Sequence, residues 1–330
     1  MSIKQKHSNT KSVRLIFISL LALACLWLEG RGDCQAREPA KFPAGTIKIL
    51  VPASPGGSLG TEIRSMTPFL EKYLGVRTAV EYIGGAEGII AYNKIYQEKP
   101  NGYTLIHSTF SSAIALELTR ESAKYAVKNL SPVASWTAKN HSLLVHPESW
   151  KNFAGFLEDS RKRKLSVAGT GGSPDIQGRL MARSLGMELN WVPYASGGEG
   201  TAAVAGRHVD SIITYTVSAR PMVRGGRLTA LEVFAAKRDR LLPEVPSIWE
   251  LGYDKVPLLL NLGVFLAPPQ TPKAITDILE RAVQKATADP AFLALAEKSG
   301  IVPDFKSAAE TRKLILECYD LLNSHKDLVR

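Results

Sequence analysis

The sequence predicts an α/β protein in which mostly parallel sheets are flanked by helices, and three observations support this prediction. Short apolar runs rich in β-branched residues alternate with amphipathic helical segments along the chain, as in parallel sheets that are covered by helices. Glycine-containing loops follow several of these runs, at the strand ends where open α/β sheets bind ligands. Of the 330 residues, those from about 37 to 330 are enough for two lobes of ordinary size.

The amino-terminal elements follow one another closely. The run TIKILVPA at 46–53 predicts a strand, and a Pro/Gly/Ser loop leads from it into a helix over 61–73 with apolar residues at helical spacing. The same alternation continues with a strand, a helix and a strand over 77–83, 87–99 and 103–109.

The carboxy-terminal half repeats the alternation. The runs LSVAGT at 165–170 and SIITYT at 211–216 predict strands beside glycine-containing loops. Pro272 opens a helix whose apolar residues share one face. Cys318 lies in an apolar helical stripe, and we expect it to be a small buried hydrophobic residue.

The first 36 residues have the features of a secretory signal peptide. Basic residues precede the apolar run 15–28, and small residues precede a cleavage point after Ala36. Two alternatives remain open: an uncleaved amino-terminal anchor helix, and a lipoprotein box that would place a lipid anchor on Cys25. Each route takes the chain out of the cytoplasm, and we expect a periplasmic protein.

The charge and the composition narrow the classes of partner. The leader carries five basic and two acidic residues, so its removal lowers the net charge from +10 to about +7. This charge favours anionic small ligands or an anionic surface. The basic run 161–164 lacks interleaved aromatic residues, and we expect no nucleic-acid partner. The remaining histidines and Cys318 lack metal-ligand spacing, so neither a metal nor a cofactor is expected.

Three loops of similar composition predict an anion-binding cleft. They are PASPGGS at 52–58, AGTGGSPD at 168–175 and YASGGEG at 194–200, and each precedes a helical pattern. The start of a helix offers unpaired N–H groups and the positive end of the helix dipole. Helix capping alone would explain one such loop, whereas three loops favour a shared cleft.

A serine nucleophile is the main enzymatic alternative. Ser58 lies in a Gly-x-Ser-x-Gly segment, which fits the nucleophile elbow of serine hydrolases. However, the chain has no His-Gly-Gly-Gly segment for an oxyanion hole, and Ser58 follows the first predicted strand, whereas a hydrolase elbow usually follows several. A Walker A motif is also absent from the sequence. We therefore expect a protein that is not an enzyme, with a secreted serine esterase as the alternative.

Six segments, taken in order, resemble one family. They are IKILVPASPGGS, EKPNGYTLI, WVPYASGGEG, AGRHVDSIITYT, VRGGRLTALEVFAAKRDRLLPEVPSIWELGY and FLAPPQTPKAITDILERAVQKATADP. This ordered set resembles the Bug (TctC-type) proteins, the periplasmic solute-binding receptors of tripartite tricarboxylate transporters. The resemblance covers roughly 45–310.

The resemblance implies a hinged, two-lobed fold of the periplasmic binding protein kind, type II-like, with the ligand cleft between the lobes. Lobe 1 would consist of residues 37–138 and 257–330, and lobe 2 of residues 139–256. The expected ligand is a small organic carboxylate, and the expected partner of the monomer is a membrane permease. A sensory receptor of the same fold, which acts on a signalling protein, remains an alternative.

The resemblance also implies the ligand-binding residues. The first lobe would contribute Ser54, Pro55, Gly56, Gly57, Ser58, Leu59, Gly85, Ala86, Ser108 and Thr109. The second lobe would contribute Gly169, Thr170, Gly171, Gly172, Ser173, Tyr194, Ala195, Ser196, Gly197, Gly198, Asp210 and Tyr215. Asp210 could instead brace the second-lobe sheet, and both tyrosines could be core aromatic residues.

Two departures from the family pattern affect the expected ligand. Leu59-Gly60 stands where the family commonly has Thr-Asp, and the missing carboxylate argues against amino-acid ligands. Glu87 places a carboxylate beside the cleft, where it would repel a dianion unless it points away or is paired. An aromatic or aliphatic monocarboxylate therefore competes with citrate-like compounds as the ligand.

Overall fold

The computed structural model describes residues 42–53, 55 and 58–329. The predicted signal peptide and Cys25 lie outside the described residues, as do three of the predicted ligand-binding residues, Ser54, Gly56 and Gly57. The elements below all belong to the compact unit Gly45–Arg330.

The described residues form eleven strands. In chain order they are β1 (Ile47–Val51), β2 (Thr78–Tyr82), β3 (Thr104–Thr109), β4 (Ser131–Ala138), β5 (His141–Val145), β6 (Leu165–Gly169), β7 (Leu189–Pro193), β8 (Ser211–Tyr215), β9 (Thr229–Phe234), β10 (Leu262–Ala267) and β11 (Val302–Lys306).

The α-helices alternate with these strands. They are α1 (Ser58–Leu74), α2 (Ile89–Gln97), α3 (Phe110–Thr119), α4 (Phe153–Ser160), α5 (Ser173–Leu185), α6 (Gly197–Ala205), α7 (Thr216–Arg224), α8 (Lys273–Thr287), α9 (Pro290–Ser299), α10 (Ala308–Ser324) and α11 (Lys326–Val329). Membrane-spanning helices are not found in the described part of the chain, because every helix there is too short or too polar.

The strands form two separate sheets, which confirms the two-lobed α/β fold. The first sheet has the order β11-β4-β10-β3-β1-β2, and the second has the order β7-β6-β8-β5-β9. The first sheet thus combines strands from both ends of the described chain, whereas the second uses only strands between positions 141 and 234.

Both sheets are mixed, and in this respect the expectation of mostly parallel sheets is wrong. The pairs that helical crossovers connect are parallel, namely β1 with β2 and β3, and β6 with β7 and β8. The strands β10 and β4 pair antiparallel to each other. The physical reason is that β4 leads the chain out of the first sheet and β10 brings it back alongside, in the opposite direction.

Helices cover the sheets and enclose the apolar cores. Trp136 on β4 and Phe265 on β10 are fully buried in the first sheet. The second sheet has a core on each face: Phe153 and Phe156 of α4 pack on one, and Val204 of α6 packs on the other. Cys318 of α10 is buried in an apolar cluster, as predicted.

Two crossing segments connect the sheets and lie side by side. Lys139, just after β4, donates its backbone N–H to the carbonyl of Asn261, just before β10, at 2.8 Å. The carbonyl of Asn140 in turn accepts the N–H of Thr216, at the start of α7. The crossing region is therefore hydrogen-bonded to the second lobe next to the carboxyl end of β8.

Candidate functional site

A cleft of about 970 Å³ lies where loops from the two lobes face each other. The first lobe contributes Ser58, at the start of α1, and Ser112 on α3. The second lobe contributes the starts of three helices that follow the carboxyl ends of β6, β7 and β8. The predicted site residues that line this cleft are Ser58, Thr170, Gly171, Gly172, Ser173, Ser196, Gly197, Gly198 and Tyr215.

A second cavity of about 570 Å³ adjoins the cleft. The two cavities share Ser112 and the loop residues 170–172. Apolar side chains of Leu116, Ile176 and Leu328 line the second cavity, so it offers space for an apolar ligand body.

The loop between β1 and α1 folds back over the start of α1, which explains why residue 60 is a glycine. A Cβ atom at Gly60 would lie 2.3 Å from the carbonyl oxygen of Pro55, so no side chain fits there. The same oxygen accepts a hydrogen bond from Arg64 Nη1 at 2.5 Å, and Arg64 Nη1 also lies 3.2 Å from the Tyr82 hydroxyl. Arg64 thus holds the loop against the end of β2.

Ser58 does not have the surroundings of a catalytic serine. It begins α1, and its side chain is exposed. Within the described residues, its hydroxyl makes no hydrogen bond to a histidine or a carboxylate. A serine nucleophile needs such a base within hydrogen-bond reach, and the described residues do not place one beside Ser58.

The loop after β6 has fewer free N–H groups than the sequence suggested. Asp175, in the first turn of α5, accepts the N–H of Thr170 at 3.1 Å and that of Gly171 at 2.9 Å. In the described part of the chain, the N–H groups of Gly172 and Ser173 remain without a hydrogen bond. These two groups, and not the whole loop, are available to an anion at the helix start.

The loop after β7 is held by a reciprocal cap. Ser196 Oγ accepts the N–H of Glu199 at 3.2 Å, and Glu199 Oε2 accepts that of Ala195 at 3.3 Å. The N–H groups of Gly197 and Gly198 form no hydrogen bond to described residues and lie at the start of α6. The starts of α5 and α6 thus bring four free N–H groups to one cleft.

The two predicted tyrosines occupy different environments. Tyr194 packs against the apolar core of the second sheet, which matches the core alternative for this residue. Tyr215 lines the cleft, and its hydroxyl lies 2.8 Å from Ser173 Oγ.

Other predicted residues lie near the cleft without lining it. Ser108 and Thr109 are buried at the end of β3, and Ser112, one turn further along, lines the cleft instead. Gly85 and Ala86 form an exposed turn with positive φ angles of 97° and 45° before α2. Of the remaining ones, Pro55 and Ala195 lie in loops, Leu59 is the second residue of α1 and Gly169 is the last residue of β6, and none of the four lines the cleft.

Asp210 is not brought together with the other predicted residues. It lies at the amino end of β8, whereas Tyr215 lies at the carboxyl end. Its carboxylate accepts hydrogen bonds from Arg163, and from the backbone and hydroxyl of Ser166. Although burial raises the pKa of Asp210, the bonds from Arg163 and Ser166 outweigh it and lower that pKa. These contacts support the bracing role.

The Glu87 carboxylate is paired. Arg120 Nη2 lies 3.1 Å from Glu87 Oε1, and both residues line the second cavity. Arg120 therefore offsets the negative charge that the sequence placed beside the cleft, so repulsion of an anionic ligand is weaker than Glu87 alone would cause.

Sequence reasoning missed Arg64, Asp175 and Ser112. Asp175 had a readable signal, because an acidic residue in the first turn of a helix often accepts loop N–H groups. Arg64 had none, since its contact depends on how the loop folds back. Groups of three or more metal-ligating side chains were not found among the described residues.

Two α/β lobes, a pair of crossing segments and a cleft lined by helix starts define a two-lobed solute-binding protein. Residues 63–329 match the family model of the tripartite tricarboxylate transporter family receptor, TctC. The chain therefore belongs to the TctC receptor family, as its motifs suggested. This is a family of periplasmic solute-binding receptors.

Two individual relatives each match most of the chain. The BugT protein of Bordetella pertussis is 26% identical over 305 residues, covering 90% of this chain and 93% of that protein. A UPF0065 protein of Agrobacterium vitis is 28% identical over 305 residues, covering 91% of this chain and 86% of that protein.

Solved structures share the fold. MatC of Rhodopseudomonas palustris with bound malate superposes with a TM-score of 0.72 at 25% identity, covering 88% of this chain and 100% of that one. A TctC solute-binding protein from Polaromonas, without ligand, gives a TM-score of 0.76 at 18% identity, covering 87% and 99% of the two chains.

Proposed function

We propose that this protein is a periplasmic receptor that captures a small organic carboxylate in the 970 Å³ cleft and delivers it to a membrane permease. The observation that carries the proposal is the convergence of free N–H groups at Gly172, Ser173, Gly197 and Gly198. Two helix starts that face one cavity attract an anion through both hydrogen bonds and helix dipoles.

Hinged closure would complete the site. We assign residues 37–138 and 257–330 to lobe 1 and residues 139–256 to lobe 2, with the crossings at Lys139 and Val256. Ser58 and Ser112 would approach the second-lobe loops as the lobes close. The monomer would then present both lobes to the permease.

The ligand class follows from the two cavities together. Carboxylate oxygens would accept from the four N–H groups and from Ser58. The apolar walls at Leu116 and Ile176 would hold a hydrocarbon body, which favours an aliphatic or aromatic carboxylate over an amino acid. The malate in MatC supports a carboxylate in the cleft of this fold.

A thermal-shift screen of the purified exported protein tests the proposal. The panel contains malate, citrate, adipate, benzoate, amino acids and neutral amides. A carboxylate at about 100 times its Kd adds about 2.7 kcal/mol and raises the Tm by several degrees. A response to neutral or cationic compounds alone would contradict the carboxylate assignment. Ester hydrolysis that Ser58→Ala abolishes would instead support the esterase.

A variant pair tests the helix starts directly. Gly197 is the first residue of α6 and follows the extended residue Ser196, so a proline fits there without breaking the helix. Gly197→Pro removes one N–H donor, whereas Gly197→Ala keeps it, and the nearest atom to the added Cβ is 3.7 Å away. We expect Gly197→Pro to lower carboxylate affinity about tenfold or more and Gly197→Ala to change it little. Equal affinities in the two variants would contradict the proposed role.

A further inference from the structure

We propose that a buried hydrogen-bond relay, Asn261–His141–Ser173–Tyr215, fixes the Tyr215 hydroxyl as a donor to the ligand, so that this position selects an acceptor oxygen. The inference rests on the proposed function, because it names the group that the cleft accepts beside Tyr215. It assigns His141 and Asn261 as positioning residues, although neither lines the cleft.

The relay begins at Asn261, whose amide orientation is determined by its neighbours. Its Nδ2 donates to the Leu259 carbonyl at 3.0 Å, and a carbonyl can only accept. Its Oδ1 accepts from the Ser111 hydroxyl at 2.8 Å. One N–H of Asn261 therefore remains, and it faces the His141 ring. Asn261 Nδ2 lies 3.4 Å from His141 Nδ1 and 3.3 Å from His141 Nε2.

The His141 ring must accept that N–H. His141 is buried, and burial together with the nearby Lys139 lowers its pKa to about 3, so the ring is neutral near pH 7. A neutral imidazole has one accepting and one donating nitrogen. Nε2 lies 3.2 Å from Ser173 Oγ, whereas Nδ1 has only Asn261 as a partner among the described residues.

This arrangement selects one tautomer. If Nδ1 accepts from Asn261, then Nε2 carries the hydrogen and donates it to Ser173, and every group is satisfied. The opposite tautomer leaves a buried Nδ1–H without an acceptor in the described part of the chain, which is unfavourable.

The direction of the remaining bonds follows from the tautomer. Ser173 accepts from His141, and because Ser173 is buried its own hydrogen needs an acceptor in the protein. The Tyr215 oxygen, 2.8 Å away, is the remaining side-chain partner of Ser173 among the described residues, so Ser173 donates to it. Tyr215 has no further acceptor among the described residues, so its hydrogen is free for the cleft that it lines. A carboxylate or carbonyl oxygen satisfies this donor, whereas an ammonium group does not.

The relay also involves both crossing segments. His141 follows the first crossing, and Asn261 lies at the end of the second, just before β10 and 120 residues later. The donor direction at Tyr215 is thus set by residues that belong to the connection between the lobes.

The tautomer can be measured in the unmodified protein. Nitrogen-15 NMR of histidine-labelled protein distinguishes protonated from unprotonated ring nitrogens, and His141→Gln assigns the signal. We expect a neutral His141 with hydrogen on Nε2 at pH 7. Hydrogen on Nδ1, or on both nitrogens, would overturn the relay.

Binding variants give an independent readout. With malate or another carboxylate that the wild type binds as the probe, Tyr215→Phe should lower affinity about tenfold to hundredfold. Tyr253→Phe, outside the relay and packed against Phe153 in the core, should leave it within about twofold. His141→Gln keeps a donor toward Ser173 and should bind better than His141→Leu, with folding of each variant checked by circular dichroism.

The outcomes separate the two proposals. Wild-type protein that binds no carboxylate would contradict the proposed function. Wild-type binding with equal affinity in Tyr215→Phe would contradict the relay alone.

Discussion

The buried ion pair between Glu62 and Lys139 yields the sharpest stability prediction. Lys139 Nζ lies 2.8 Å from Glu62 Oε1, and both side chains are less than one-tenth exposed. Lys139 is the first crossing residue and Glu62 lies on α1, the helix that begins at Ser58. The pair therefore ties the crossing to the helix that starts at the cleft.

The magnitude follows from the pKa of Glu62. Burial alone would raise this pKa, but the attraction of Lys139 and the nearby His107 outweighs burial and lowers it from the usual 4.5 to about 2. This difference corresponds to about 3 kcal/mol in favour of the folded, ionised carboxylate. Lys139→Met removes the partner and leaves a buried charge, which typically costs about 3–5 kcal/mol.

Urea unfolding at pH 7 measures this loss. Lys139→Met should lower the free energy of unfolding by about 3–5 kcal/mol, and Glu62→Gln/Lys139→Met should recover much of it. Lys94→Met breaks a partly exposed pair with Glu81 and should cost less than about 1 kcal/mol. In the wild type, the contribution of Glu62 is present above pH 4.5 and is lost as the pH falls toward 2. If Lys139→Met is as stable as Glu62→Gln/Lys139→Met, or more stable, the reasoning is refuted.

Three further predictions follow from other buried or paired groups. Glu232 is fully buried with no hydrogen bond to described residues, and burial raises its pKa well above 4.5. Glu232→Met should therefore raise the free energy of unfolding at pH 7 by about 1–3 kcal/mol. In urea unfolding, the wild type should become less stable as the pH rises above 4.5, because ionised Glu232 is unfavourable in the folded state, and Glu232→Met should lack this loss. At Gly178 an added Cβ would lie 2.3 Å from a buried side-chain atom, so Gly178→Ala should lower the Tm, whereas Gly155→Ala, with no atom closer than 3.6 Å, should not. Arg120→Ala leaves Glu87 unpaired and should weaken dicarboxylate binding a few-fold in calorimetry at low salt, with less effect at high salt; an equal effect at both salt levels would argue against an electrostatic cause.

The sequence predicted the elements well where local patterns determine them. Apolar β-branched runs at 46–53 and 103–109 gave β1 and β3, and the helical spacing after Pro272 gave α8. Strand direction was less predictable, because the antiparallel pairing of β4 with β10 joins segments more than 120 residues apart. No local pattern encodes such a pairing.

The site was predictable in its loops but not in its donor groups. The glycine-containing loops do converge on one cleft, yet Asp175 occupies two of the N–H groups that the loop composition had suggested for the ligand. Asp210 was included through motif similarity, although it lies at the other end of its strand. The contact between His141 and Asn261 joins positions 120 residues apart, which one sequence cannot reveal.

An amide titration tests the central claim most directly. Nitrogen-15-labelled protein is titrated with the carboxylate that gives the largest thermal shift, and the backbone amide signals are followed by NMR. We predict the largest proton shifts, toward stronger hydrogen bonding, at Gly172, Ser173, Gly197 and Gly198. Saturable shifts centred on another surface, with these four amides unchanged, would contradict the account.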